Sequence, residues 1–273
     1  MPSLNPSQLI TAEQIEQFKT DGVTMVPGLF THLLDILKTG VAKNVKEPGP
    51  FAAENVTGND TGRFFDDYCN WNRIPEFSQV VHDPAVGAAA AALMQSDRVQ
   101  IFHEHVLIKE PGTSKVTPWH QDSPYYFVEG EQTLSFWVPL DPVSNATLRC
   151  VIGSHRWDKP VLPTRWLTNE KFYNDMSSFK PVPDPDNEGL SIAEWDMQPG
   201  DAVAFHFRTL HGARGNASDM QRRAFSLRLV GDDARYVERP GKTSPPFTGH
   251  KMQPGEQLRY DWFPVVYPSG AKG

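Results

Sequence analysis

A chain of 273 residues with 39% hydrophobic and 22% charged side chains can bury a sizeable core, which excludes disorder as its main state. Its net charge of −7 comes without a Lys/Arg block, so a nucleic-acid surface or an acidic-membrane surface is not expected. The longest apolar run, Ala85 to Met94, is alanine-rich and falls well short of the ~20 residues that a membrane span needs. Cys69 and Cys150 make neither a disulfide framework nor a CxxC metal site; they read as free thiols. The opening MPSLNPSQL has no basic-plus-apolar leader, and a cytoplasmic protein, monomer or homodimer, is expected.

Taken in chain order, residues 1–98 read as helical. Thr11 with Gln14 forms a capping-box pattern before AEQIEQFKTD, and Gly22 stops it. FTHLLDILK spaces its apolar residues as a helix does, and Asp83-Pro84 is a cap plus first-turn proline ahead of the alanine run. Residues 45–75, rich in Gly, Asn and Asp, read as loop. From Val99 the runs VQIFHEHVLIK, TLSFWVPL and LRCVIG are β-branched or aromatic and divided by Pro, Gly and Asn, so they read as strands. Residues 155–195 are a long insertion with little periodicity, of the kind that serves as a lid. Strands resume with DAVAFHF and RAFSLRLVG, and 236–273 is an irregular tail. Helices followed by strands, without βαβ alternation, predict a single mainly β domain, a sandwich with helices on one side. Residues 1–98 would be its helical region, 99–235 its core and 236–273 its tail.

The sharpest chemical signal is Trp119-His120-Gln121-Asp122. Strand alternation would put His120 and Asp122 on one face, and a later histidine, His211, follows the strand AVAFHF. Two histidines and one carboxylate make a facial triad, the ligand set of non-haem Fe(II), which leaves positions for a co-substrate and O2. Further on, alternation puts Phe225, Leu227 and Leu229 on one face and Arg222, Ser226 and Arg228 on the other. An arginine on that polar face can grip a carboxylate bidentately, which suggests a dicarboxylate co-substrate chelating the metal at its other end.

TPWHQDSPYYF, the stretch from Trp137, GSHRW, and WDMQPGDAVAFHFRTLHGARGN followed by RRAFSLR together resemble bacterial members of the phytanoyl-CoA dioxygenase family. The resemblance implies a double-stranded β-helix (jelly roll) with the N-terminal helices packed on one sheet. It also implies an Fe(II)/2-oxoglutarate oxygenase that consumes O2, with ascorbate as a stimulant, and acts on a small-molecule substrate. By position it makes His120, Asp122 and His211 the iron ligands. Arg222 becomes the partner of the distal 2-oxoglutarate carboxylate, and Trp137 a wall of that pocket. His105 falls where relatives carry Met or Gln against the co-substrate. Halogenating relatives replace the carboxylate ligand with a small residue, so Asp122 implies a hydroxylase.

Two rival readings remain at this point. His103-x-His105 has the spacing of a cupin metal pair, which would make a metal-dependent oxygenase or isomerase that does not use 2-oxoglutarate; the glycines that flank such a pair are replaced by Asp97 and Thr117. A non-catalytic jelly-roll binding protein is the other. His206 reads as a core histidine beside the site, and His155 as a turn at the start of the lid.

Overall fold

The computed structural model describes residues 9–56, 58–165, 170–175 and 177–268. Helix α1 (Ala12–Asp21) begins in a complete capping box: Gln14 N donates to Thr11 Oγ1 at 3.2 Å, and Thr11 N donates to Gln14 Oε1 at 2.9 Å. It ends at Gly22, where φ is 75° and a Cβ would meet the His155 ring at 2.3 Å, so glycine is required twice over. Three helices follow: α2 (Leu34–Lys46), α3 (Pro75–Val81) and α4 (Pro84–Met94). In α4 the Asp83 carboxylate accepts from Ala85 N at 3.0 Å and Val86 N at 3.1 Å, filling two of the orphan donors at the helix start.

The first 98 residues are not all helical. β1 (Val23–Val26), β2 (Ala53–Asn55) and β3 (Phe64–Tyr68) lie among the helices, the last two inside the stretch that reads as loop. The remaining strands are β4 (Val99–Lys109), β5 (Thr117–His120), β6 (Val128–Glu129), β7 (Thr133–Pro139), β8 (Arg149–Val151), β9 (Ile192–Ala193), β10 (Ala202–Phe205), β11 (His211–Ala213), β12 (Arg222–Val230), β13 (Arg235–Tyr236) and β14 (Val265–Tyr267). They form a major antiparallel sheet ordered β1-β10-β7-β12-β4-β3-β2, a minor sheet ordered β5-β11-β8-β9, and the pair β13-β6. The tail is therefore not wholly irregular: β14 joins the major sheet beside β4. This is the mainly β, double-stranded β-helix architecture, with the helices against one sheet.

Period-2 alternation decides what each face of the major sheet does. Val106, Ile108, Phe136, Val138, Phe225, Leu227 and Leu229 join Phe30, Leu37, Phe77 and Val86 of the helical region in the largest apolar cluster. The other face looks toward the minor sheet, where Leu107, Trp137, Val203 and Phe205 pack with Leu148 and Cys150. One end of that interior is tied by Lys109, fully buried, which donates to the Ala213 carbonyl at 3.3 Å and the Arg214 carbonyl at 2.7 Å. The space left between the sheets holds the candidate site.

Candidate active site

The register between β5 and β11 sets His120 directly opposite His211, with ring centroids 4.1 Å apart. Each ring is turned by a carbonyl two residues upstream. His120 Nδ1 lies 2.8 Å from the Pro118 oxygen, and His211 Nδ1 lies 2.9 Å from the Thr209 oxygen. A carbonyl only accepts, so both Nδ1 atoms carry the proton and both Nε2 atoms offer a lone pair. Asp122 Oδ1 faces them at 3.6 Å from His120 Nε2 and 3.8 Å from His211 Nε2. Its approach differs from strand alternation: β5 ends at His120, and Asp122 already has helical backbone, φ −69° and ψ −43°, as the chain turns into residues 123–125. The turn, rather than the pleat, brings the carboxylate round.

All three side chains are buried, and their ligand atoms lie within 4.8 Å of one another; no other such group of three occurs among the described residues. Burial pushes the Asp122 pKa up, but the opposing influences, led by the Arg228 guanidinium 3.6 Å from Oδ2, hold the carboxyl ionised, well below its usual range. Ser135 Oγ donates to the same Oδ2 at 3.1 Å. Burial, with His120 beside it, lowers His211 to about 3, so its imidazole is neutral at pH 7. Two imidazole nitrogens and one carboxylate, fixed by second partners and turned inward, suit a divalent transition metal.

A narrow chamber runs from His120 and His211 to Arg222, walled by His105, Trp137 and Ser226. Arg222 is 3% exposed, and no carboxylate of the described residues lies within ion-pair distance of it. Its Nη1 reaches only the Leu107 carbonyl at 3.5 Å, its guanidinium lies 5.6 Å from the Trp137 ring centre, and its Nε has no partner among the described residues. Burial draws its pKa down to about 10, against the pull of Asp141. Ser226 Oγ also lacks a partner among the described residues. Buried donors left unmet are costly, and these two line one chamber, as a site for a carboxylate would. The neighbouring Arg223 is the opposite case: its Nε and Nη2 bond both oxygens of Asp141, at 3.0 and 2.6 Å.

On the other side of the triad opens a cavity of about 350 Å³, within the range of small-molecule sites. Phe51 and Tyr68, stacked at 4.8 Å, line it together with Tyr125 and Phe172, whose rings are 4.9 Å apart. The 155–195 segment contributes Thr164, Arg165 and Phe172 to this cavity and no atom to the triad. It is fastened to the turn after Asp122: Tyr125 OH accepts from Thr164 N at 2.9 Å and donates to Thr164 O at 2.8 Å, and Tyr173 OH donates to Pro124 O at 2.9 Å. Trp166, in the same segment, lies outside the described residues.

His105 lines both chambers, with Nε2 3.2 Å from Asp66 Oδ1. His103 lies along the larger cavity and does not join the three-ligand group. His206 sits in the core between Thr133 Oγ1 and the Glu131 carbonyl, both at 3.1 Å. Sequence reasoning missed Phe51, Asp66 and Tyr68 as cavity residues. Phe64-Phe65-Asp66-Asp67-Tyr68 has no strict apolar/polar alternation, so it carries no strand signal.

The sequence model of the phytanoyl-CoA dioxygenase (PhyH) family matches residues 18–224. A probable phytanoyl-CoA dioxygenase of Caenorhabditis elegans is 29% identical over 184 residues, 65% of this chain and 54% of the relative, so the chain spans about half the length of that relative. Among solved structures, the non-haem alpha ketoglutarate dependent carbocyclase SnoK of nogalamycin biosynthesis superposes with a TM-score of 0.74 at 22% identity, over 95% of this chain and 98% of its own. The epimerase SnoN, in complex with Fe3+, alpha ketoglutarate and nogalamycin RO, does so with 0.75 at 20% identity, over 96% of this chain and all of its own. No described helix is long and apolar enough to cross a membrane.

Proposed function

The chain belongs to the phytanoyl-CoA dioxygenase family, and from that premise we propose that it is an Fe(II)- and 2-oxoglutarate-dependent dioxygenase that hydroxylates a small molecule and releases succinate and CO2. The observation that carries this reading is the pairing of two features across one narrow chamber. At one end are three inward-facing ligand atoms; at the other is a buried arginine with no anion among the described residues.

His120 Nε2, His211 Nε2 and an Asp122 oxygen would hold Fe(II), leaving coordination positions for co-substrate and O2. When bound, the iron with O2 and 2-oxoglutarate would supply the oxidising power to break a substrate C–H bond. The chain's own residues bind and orient. Arg222 takes the distal carboxylate of 2-oxoglutarate, a charge-assisted pair strengthened by burial, and Trp137 and His105 wall the chamber around it. Ser135 and Arg228 keep Asp122 ionised and aimed. Because the bound iron centre would itself take the substrate hydrogen, no side chain need serve as general base. Phe172, Thr164 and Tyr125 cover the cavity and shield the reacting centre from water. The two free cysteines fit a reducing compartment, and we assign the enzyme to the cytoplasm, as a monomer or homodimer.

The test is an anaerobic titration of the apoprotein with Fe(II) and 2-oxoglutarate, followed by the visible charge-transfer band of the chelate. Aerobic succinate release, with ascorbate present, is then measured across a metabolite panel. A band that requires His120 and Arg222, and at least one compound that accelerates succinate release, are the expected results. No band and no Fe(II)-dependent consumption of 2-oxoglutarate would overturn the proposal.

A further inference from the structure

Two residues lining the cavity beside the triad, Asn55 and His103, each carry a buried polar atom that the described residues leave unanswered, and of the two only His103 sits opposite the Arg228 that touches Asp122. His103 is 2% exposed and lines the cavity, and its Nε2 has no hydrogen-bond partner. Its Nδ1 lies 3.2 Å from the Glu104 carbonyl, which can only accept, so the ring proton sits on Nδ1 and Nε2 is a bare acceptor. Burial first, then the charge of Arg228, keep the ring from taking a second proton. Aromatic side chains box it in, with Phe102 at 5.1 Å, Tyr126 at 5.2 Å and Tyr68 at 6.1 Å between centroids.

The polar groups nearest to it on β3 are already engaged. Asp66 meets His105 at 3.2 Å and Asn55 at 3.3 Å, and the Tyr68 hydroxyl meets Ser244 at 3.1 Å. A buried acceptor without a donor costs roughly what a hydrogen bond is worth, and nothing described around this one offsets it. Its place relative to the chemistry is fixed: β12 sets Arg228 opposite His103, and Arg228 touches Asp122. That cation also disfavours an ammonium donor beside the ring and favours a neutral one, of which a hydroxyl is the smallest.

We propose that His103 is a substrate-recognition residue whose Nε2 accepts a hydrogen bond from a hydroxyl group of the substrate, with the apolar body of that substrate lying against Phe51, Tyr68, Tyr125 and Phe172. The proposal rests on the oxygenase reading and narrows its substrate class to compact, uncharged, hydroxyl-bearing molecules with an aromatic or alicyclic frame.

The experiment uses matched probes, 2-naphthol against 2-methylnaphthalene and 2-phenylethanol against ethylbenzene, on the full chain loaded anaerobically with Fe(II) and 2-oxoglutarate. Affinity is read by ligand-observed NMR. Wild type should bind the hydroxyl member of each pair about tenfold more tightly, the scale of one buried hydrogen bond. His103→Leu should abolish that preference and keep the Fe(II)–2-oxoglutarate band; His103→Gln, which retains an acceptor, should restore a fraction of it. In wild type, ¹⁵N NMR should show Nε2 unprotonated and moving upfield only with the hydroxyl probes, a readout that does not depend on any variant folding. Equal affinity within each pair, a preference that survives His103→Leu, or an Nε2 signal unmoved by the hydroxyl probes would each overturn the proposal. A missing band in wild type would instead overturn the oxygenase reading, and the probe preference would still decide the role of His103.

Discussion

On β12 the side chains of Phe225, Leu227 and Leu229 enter the helical layer, while Arg222, Ser226 and Arg228, alternating with them, enter the space between the sheets. Both sets are buried. The first set packs in the apolar cluster; Phe225, for example, lies 5.1 Å from Phe77 between ring centroids. The second set includes a guanidinium nitrogen and a hydroxyl without partners among the described residues. One strand thus carries a stabilising face and a costly one, and the cost marks where a ligand belongs.

Mutation should separate the two faces. The largest effect is expected at the triad: His120→Ala or His211→Ala should abolish Fe(II) retention on gel filtration, and turnover with it, because two protein ligands hold the ion poorly. If His103→Ala and His105→Ala strip iron while His120→Ala does not, the metal belongs to the other histidine pair. On the dry face, Phe225→Ala should lower stability by ~3–5 kcal/mol in denaturant melts and leave iron affinity unchanged. A matching loss of iron affinity would show that the faces are coupled. Arg222→Ala should raise the 2-oxoglutarate KM by roughly 30- to 5,000-fold, or ~2–5 kcal/mol, while Arg223→Ala, whose guanidinium is paired with Asp141, should barely change it. The reverse ranking would invert the assignment of the two arginines.

A smaller effect concerns pH. Burial, then Arg208 and His155, lower His206 from 6.5 to about 3. A histidine whose folded pKa is depressed contributes fully above its unfolded value, and that contribution drains away as the pH falls from 6.5 toward 3. The contribution is at most ~5 kcal/mol, and His206→Gln should flatten the acid limb of a stability–pH curve measured on apoprotein. An unchanged limb would place the acid sensitivity elsewhere. The mildest effect is expected in the 155–195 segment, where protease cleavage within 165–190 should slow severalfold on anaerobic loading with Fe(II), 2-oxoglutarate and a compound active in the succinate screen. Equal rates with proven binding would make the segment a static wall of the cavity.

How much of this was legible in the sequence depends on the range of the interactions. The capping box of Thr11 and Gln14, the Asp83-Pro84 start and the alternation of β12 are local patterns, and each appears where the residues predict it. β2 and β3 were not legible. Ala53-Glu54-Asn55 and a segment containing Asp66-Asp67 have poor strand propensity, and they become strands through pairing with one another and, for β3, with β4 much later in the chain. The closeness of His120 and Asp122 could be read, but for a different reason from the one that operates, since a tight turn and not the pleat joins them. The unanswered Nε2 of His103 could not be read at all, because a missing partner is a property of the packed interior and not of any spacing.

His120 and His211 are register partners, one on each of two adjacent short strands. A metal bridging them is therefore also a cross-strand staple: a slip of one residue between β5 and β11 would carry one imidazole to the opposite face and break the coordination. Binding free energy and strand alignment become one quantity, and an ion present at about 100 times its dissociation constant adds ~2.7 kcal/mol to the folded state. That increment falls on the four-strand minor sheet, whose strands run only two to four residues, rather than on the long β4–β12 ladder. An ion held by this pair would thereby also set the alignment of the sheet that holds it.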